Sequence, residues 1–120
     1  MVNYSMFNSR SRKYRNPKGA VADGQAVHFR ITVPRDLSCS GARLVVRPEG
    51  GEPLLWGMFW CGMNGESQEW WECEFTPERP GLYFYHFEIH TCRGIQRIAM
   101  GERGTGVLGG TNEWHVTVYR

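Results

Sequence analysis

Pro80-Gly81-Leu82-Tyr83-Phe84-Tyr85-His86-Phe87-Glu88-Ile89-His90 is the stretch whose reading decides the fold. A proline-glycine turn releases into a run that alternates with a period of two. Tyr83, Tyr85, Phe87 and Ile89 share one face, and Leu82, Phe84, His86, Glu88 and His90 share the other. The aromatic and β-branched content, the turn in front and Thr91-Cys92-Arg93-Gly94 behind predict a central strand of an antiparallel sheet with one strongly apolar face.

Working outward, the same period recurs. Val27 to Val33 alternates, with Val27, Phe29, Ile31 and Val33 inward and His28, Arg30 and Thr32 outward, and Pro34 closes it. Ala42 to Arg47 places Leu44 and Val46 inward, and Glu49-Gly50-Gly51-Glu52 turns the chain into Pro53 to Trp60. Leu54, Leu55, Trp56, Met58, Phe59 and Trp60 make that strand apolar on both sides, so it is either buried twice over or carries a sticky outer surface. Cys61 to Glu69 is expected to be a loop. Trp71, Cys73 and Phe75 then share a face opposite Trp70, Glu72 and Glu74. Ile95 to Met100, a glycine-dense connection from Gly101 to Gly110 and the alternating Trp114 to Tyr119 complete the set. Seven short strands and no helix predict an all-β protein, an immunoglobulin-like β-sandwich of about seven antiparallel strands.

A chain of 120 residues holds one domain with a real core, and 15 Gly and 6 Pro supply the turns such a fold needs. The net charge is +2, with the excess in Arg10, Arg12, Lys13, Arg15 and Lys18, so the folded part is near neutral. Residues 1–15 are expected to be a flexible basic leader and residues 16–120 the domain. That leader has only Tyr14 within its basic cluster and no series of stacking rings, so nucleic acid is not an expected partner. There is no membrane-length apolar run and no signal-peptide order at the start, which leads to the expectation of a cytoplasmic protein without a membrane partner. Cys39, Cys61, Cys73 and Cys92 are widely spaced with no C-x-x-C pair and are expected as free thiols rather than a zinc or redox motif.

Several constellations invite chemistry. Gly104-Thr105-Gly106-Val107-Leu108-Gly109 matches G-x-G-x-x-G, but a dinucleotide site needs a helix after it, and Gly110 onward leads into a strand. His86 and His90 stand roughly 13 Å apart on a strand, too far to share one ion, and are expected as surface histidines. Glu72 and Glu74 would put two carboxylates roughly 7 Å apart on one face, yet they lack an apolar pocket to split their roles, so a charged outer face is the expectation. Neither a catalytic residue, a metal ligand nor a cofactor is assigned. Five Trp, five Tyr and six Phe exceed what the core must hold. The alternation leaves Trp56 or Trp60, Trp70 and Tyr119 outside, where indole and phenol rings flanked by polar groups suit either a sugar ring or a protein interface.

The order of these features carries a resemblance. Tyr14-Arg15-Asn16-Pro17-Lys18-Gly19-Ala20-Val21, then Val-x-Phe-Arg-Ile-x-Val-Pro over 27–34, Trp70-Trp71-Glu72, Pro80 to Phe87, Gly109-Gly110 and Trp114 to Tyr119 together resemble the N-terminal domain of bacterial α-amylase and neopullulanase-type enzymes of glycoside hydrolase family 13. The resemblance spans residues 14 to 120. It implies an immunoglobulin-like domain preceding a (β/α)₈ catalytic barrel expected after residue 120. It also implies a non-catalytic accessory role in breaking down starch, glycogen or maltooligosaccharide: helping bind α-glucan, shaping the cleft or mediating homodimerisation. The barrel would be this domain's own partner. Trp56, Trp60, Trp70 and Tyr119 are the candidate carbohydrate contacts. The tryptophan-bearing loop of the glycogen-binding module in branching-type enzymes is missing, and the alternative is a purely structural interface with no ligand.

Overall fold

The computed structural model describes residues 5–120. Among the described residues ten strands form: β1 (Arg15–Asn16), β2 (Val21–Ala22), β3 (Val27–Pro34), β4 (Gly41–Pro48), β5 (Leu54–Asn64), β6 (Gln68–Phe75), β7 (Gly81–Thr91), β8 (Gly94–Met100), β9 (Gly106–Leu108) and β10 (Trp114–Tyr119). Among the described residues there is no α-helix, only a 3₁₀ turn at Arg35–Leu37, and hence no helix long and apolar enough to cross a membrane. The three strands beyond the expected seven are the two- and three-residue pieces β1, β2 and β9, too short for alternation to announce them. Pairing is antiparallel throughout except that β10 meets β2 in parallel.

The hydrogen-bonded order β1-β3-β6-β5-β4-β7-β10-β2, with β8 and β9 continuing from β7, doubles over into two layers. Phe29 of β3 lies 4.9 Å from Tyr85 of β7, and Phe75 of β6 lies 5.8 Å from Tyr83, although neither β3 nor β6 pairs with β7. Those rings meet at steep angles, 60° and 66°, across the sandwich. The expected inward positions of β3, β6, β7 and β10 are all buried in one cluster, including Phe29, Ile31, Phe75, Tyr85, Phe87 and Val116.

Two expectations need correction. The expected loop from Cys61 is strand as far as Asn64, so the true turn is only Gly65, Glu66 and Ser67. Alternation is broken there by a bulge between Trp60 and Gly62, which hides the strand from a period-two reading. The basic leader is likewise not a tail from residue 5 onward, and residues 1–4 lie outside the described residues. Met6 and Phe7 are core residues. Met6 N–H donates to Gly106 O at 2.9 Å, Gly106 N–H to Phe7 O at 2.7 Å, and Thr32 N–H to Met6 O at 3.0 Å, so this segment straps β3 to β9. Gly106 is glycine for that reason: a Cβ there would sit 2.9 Å from Phe7 Cβ. Gly104 and Gly109 hold positive φ angles of 82° and 76°, so the glycine motif serves turns and close packing.

Candidate functional site

β5 is the strand where the two layers join and where the chain leaves apolar side chains outside. Its first part pairs with β4, ending at Met58 opposite Ala42; its second part pairs with β6, beginning at Phe59 opposite Glu72. The strand therefore forms an edge in each layer. Leu54, Trp56 and Met58 sit opposite the core residues Val46, Leu44 and Ala42 and share their face, although Leu54 at the start of the strand is still 47% exposed; Leu55 and Phe59 fall on the other face. Trp60 shares a face with Trp71, but β4 has already departed and Trp60 is only partly covered. Leu55 is 60% exposed, Phe59 72%, Trp60 54% and Met63 37%. Of the two explanations for the apolarity of 53–60, the sticky outer surface is the one the fold adopts.

Trp56 is half-buried, with its ring edge-on to Phe75 at 5.5 Å. It stands between two concavities. One, of about 510 Å³, is walled mainly by Pro48, Leu54, Phe75, Pro80 and Tyr83, with Glu78 and Arg79 also on its lining; the other, of about 380 Å³, is bounded by Phe59, His28, Glu72 and Glu74. In the second, His28 Nε2 lies 2.7 Å from Glu72 Oε1, so Glu72 is engaged rather than poised as a free acid or base.

Trp70 stands on the outer face of the β3–β6 layer. The Arg30 guanidinium carbon sits 4.3 Å from the centre of the Trp70 ring and Tyr14 packs at 5.3 Å, so one ring face is already stacked. Tyr119 is 53% exposed on β10, paired with Ala22 and separated from β5 by β4 and β7. The four candidate aromatics therefore do not converge. Trp56 and Trp60 share a strand, Trp70 lies on the neighbouring strand, and Tyr119 stands apart.

The histidines also divide. His90 is half-buried, but His86 is 7% exposed, which corrects its expected surface position. Its Nδ1 lies 2.9 Å from Glu113 Oε2 and its Nε2 lies 3.7 Å from Glu88 Oε2; Arg47 holds Glu113 at 3.0 Å and Arg43 holds Glu88 through Nε at 2.7 Å. Burial alone would raise the Glu113 carboxyl. Hydrogen bonds from His86 and Arg47, together with their charges, outweigh it and hold the carboxyl below its ordinary value. No local sequence signal finds this network, because Arg47, His86 and Glu113 belong to three separate segments. Leu55 and Phe59 were signalled by the two-sided apolarity of their strand, whereas Met63 fell in the expected loop and carried no such signal. Among the described residues no group of three or more His, Cys, Asp or Glu could hold a metal ion.

No family model matches the sequence, and no curated protein matches it. Among solved structures the chain is similar to a cyclomaltodextrinase, with a TM-score of 0.61 and 15% identity over 82% of this chain. The chain spans 17% of the length of that protein. In fold, this sandwich is therefore like one part of that longer protein.

Proposed function

We propose that this chain is a non-catalytic accessory domain of an α-glucan-hydrolysing enzyme of the α-amylase family, and that it acts by docking through the apolar ridge of β5. One observation carries this reading: Leu55, Phe59, Trp60 and Met63 line a single edge strand and are all exposed. Exposed large apolar side chains gathered along one strand, rather than scattered singly, mark a contact surface. Leucine, phenylalanine and methionine suit a protein surface better than a sugar. The likeness in fold to 17% of a cyclomaltodextrinase supports a parent of this kind, with a catalytic barrel in the same polypeptide or a second subunit as the surface met.

A second reading rests on the groove beside Trp56, where Phe59 stands next to His28, Glu72 and Glu74. A ring beside hydrogen-bonding groups is what a maltooligosaccharide needs. One pair of variants separates the two. The chain should self-associate as its concentration rises, as read by sedimentation velocity, and Phe59→Ser with Trp60→Ser should leave it monomeric. An ordinary monomer that binds no apolar dye would overturn the docking role. Maltooligosaccharide titration should change tryptophan fluorescence only if the groove holds sugar, and Trp56→Ala should then abolish the change.

A further inference from the structure

Arg15 is a buried cation without a counter-charge among the described residues. It is only 5% exposed, and its Nη1 donates to Tyr85 Oη at 3.2 Å and His115 O at 3.2 Å, while Nη2 donates to Gly19 O at 2.6 Å. Its Nε–H has no acceptor among the described residues. All three acceptors are neutral groups. Burial pushes the Tyr85 hydroxyl up to about 12, against the pull of Arg15, so this phenol stays protonated at neutral pH and supplies no negative charge. The Tyr85 ring centre, 5.8 Å away, adds only the weak attraction of its π-face. Full burial of an uncompensated charge is costly, and proteins ordinarily meet it with an ion pair.

The same residue lines a cleft of about 470 Å³ beside the start of β10, where Trp114 to Thr117 have no partner strand on that side. Arg10, Lys18 and His115 line it as well, and among the described residues no carboxylate does. Trp114 and Met100 add apolar wall. Basic side chains from both ends of the chain thus converge on one concavity over a buried guanidinium. The cleft is larger than a bare oxyanion, and the apolar wall leaves room for an organic body.

We infer that this cleft is an anion site that takes a phosphate group, either free or as a small monoester, with Arg15 as its buried anchor and Arg10 and Lys18 as its outer contacts. Guanidinium and ammonium groups suit phosphate oxygens through charge-assisted hydrogen bonds. The anion also supplies the negative charge that Arg15 lacks. This site is independent of the β5 ridge.

The test titrates the chain with inorganic phosphate and, separately, glucose 6-phosphate at constant ionic strength, with chloride as the control. Trp114 fluorescence should saturate in the millimolar range, and at a tenfold excess over the half-point the thermal midpoint should rise by about 5 °C. Equal half-points for the two probes support free phosphate as the ligand, and a lower one for the ester supports a monoester. Arg10→Gln with Lys18→Gln alters only exposed side chains, and it should raise the half-point about tenfold or more. Arg15→Met should lose the response. The inference is overturned if phosphate acts no differently from chloride, or if the exposed double variant responds as the parent does.

Discussion

At the scale of single residues, the clearest lesson is that burial depends on neighbours rather than on residue type. His86 stands on the outward face of β7, yet Glu113, Glu88 and the arginines beside them close over it. Glu113 is the member whose titration stability should report. Its carboxyl is lowered in the folded state, so its contribution is complete above the ordinary carboxylate range and is lost as pH falls through the lowered value. Glu113→Gln should therefore lower the thermal midpoint most at neutral pH, and the gap from the parent should shrink in acid. A gap that stays constant from neutral to acid pH would refute that linkage.

At the scale of elements, the segment from residue 5 to β1 is the one whose role reverses expectation. Phe7 is fully buried, with ring centres 4.7 Å from Trp114, 4.8 Å from Phe87 and 5.9 Å from Tyr85. It fills the space between β3 and the β8–β9 hairpin that no long strand occupies. Phe7→Ala should cost about 3–5 kcal/mol in denaturant unfolding, the range for emptying a packed aromatic site. A loss below about 1 kcal/mol would mean that the strap is only a surface feature. β5 shows the opposite behaviour: a strand of high apolar content remains partly uncovered because it passes from one layer to the other.

At the scale of the whole molecule, one core joins both layers, and the thiols sample it at different depths. All four cysteines are free; Cys92 is exposed and Cys73 is buried. Burial, then the nearby charges of Glu72 and Glu74, pushes the Cys73 thiol up to about 12, so both access and thiolate are suppressed. With a neutral-pH alkylating reagent, Cys92 should be modified promptly and Cys73 only as fast as the whole sandwich opens. Rapid labelling of Cys73 in native buffer would show that the β3–β6 layer opens on its own.

The sequence by itself determined the all-β class and the inward faces of β3, β4, β6, β7 and β10, because a period of two along a strand is a local property that side-chain chemistry writes directly. It also marked β5 as unusual through its two-sided apolarity. Tertiary structure alone decided which of those apolar residues stay outside, since that depends on where β4 ends and β6 begins. Only the fold could show that Phe7 is core, that Trp70 is capped by Arg30, that His86 is enclosed, and that Arg10, Arg15, Lys18 and His115 share one cleft. The physical reason is common to all four: each depends on segments distant in sequence meeting in space, and no local pattern records such a meeting.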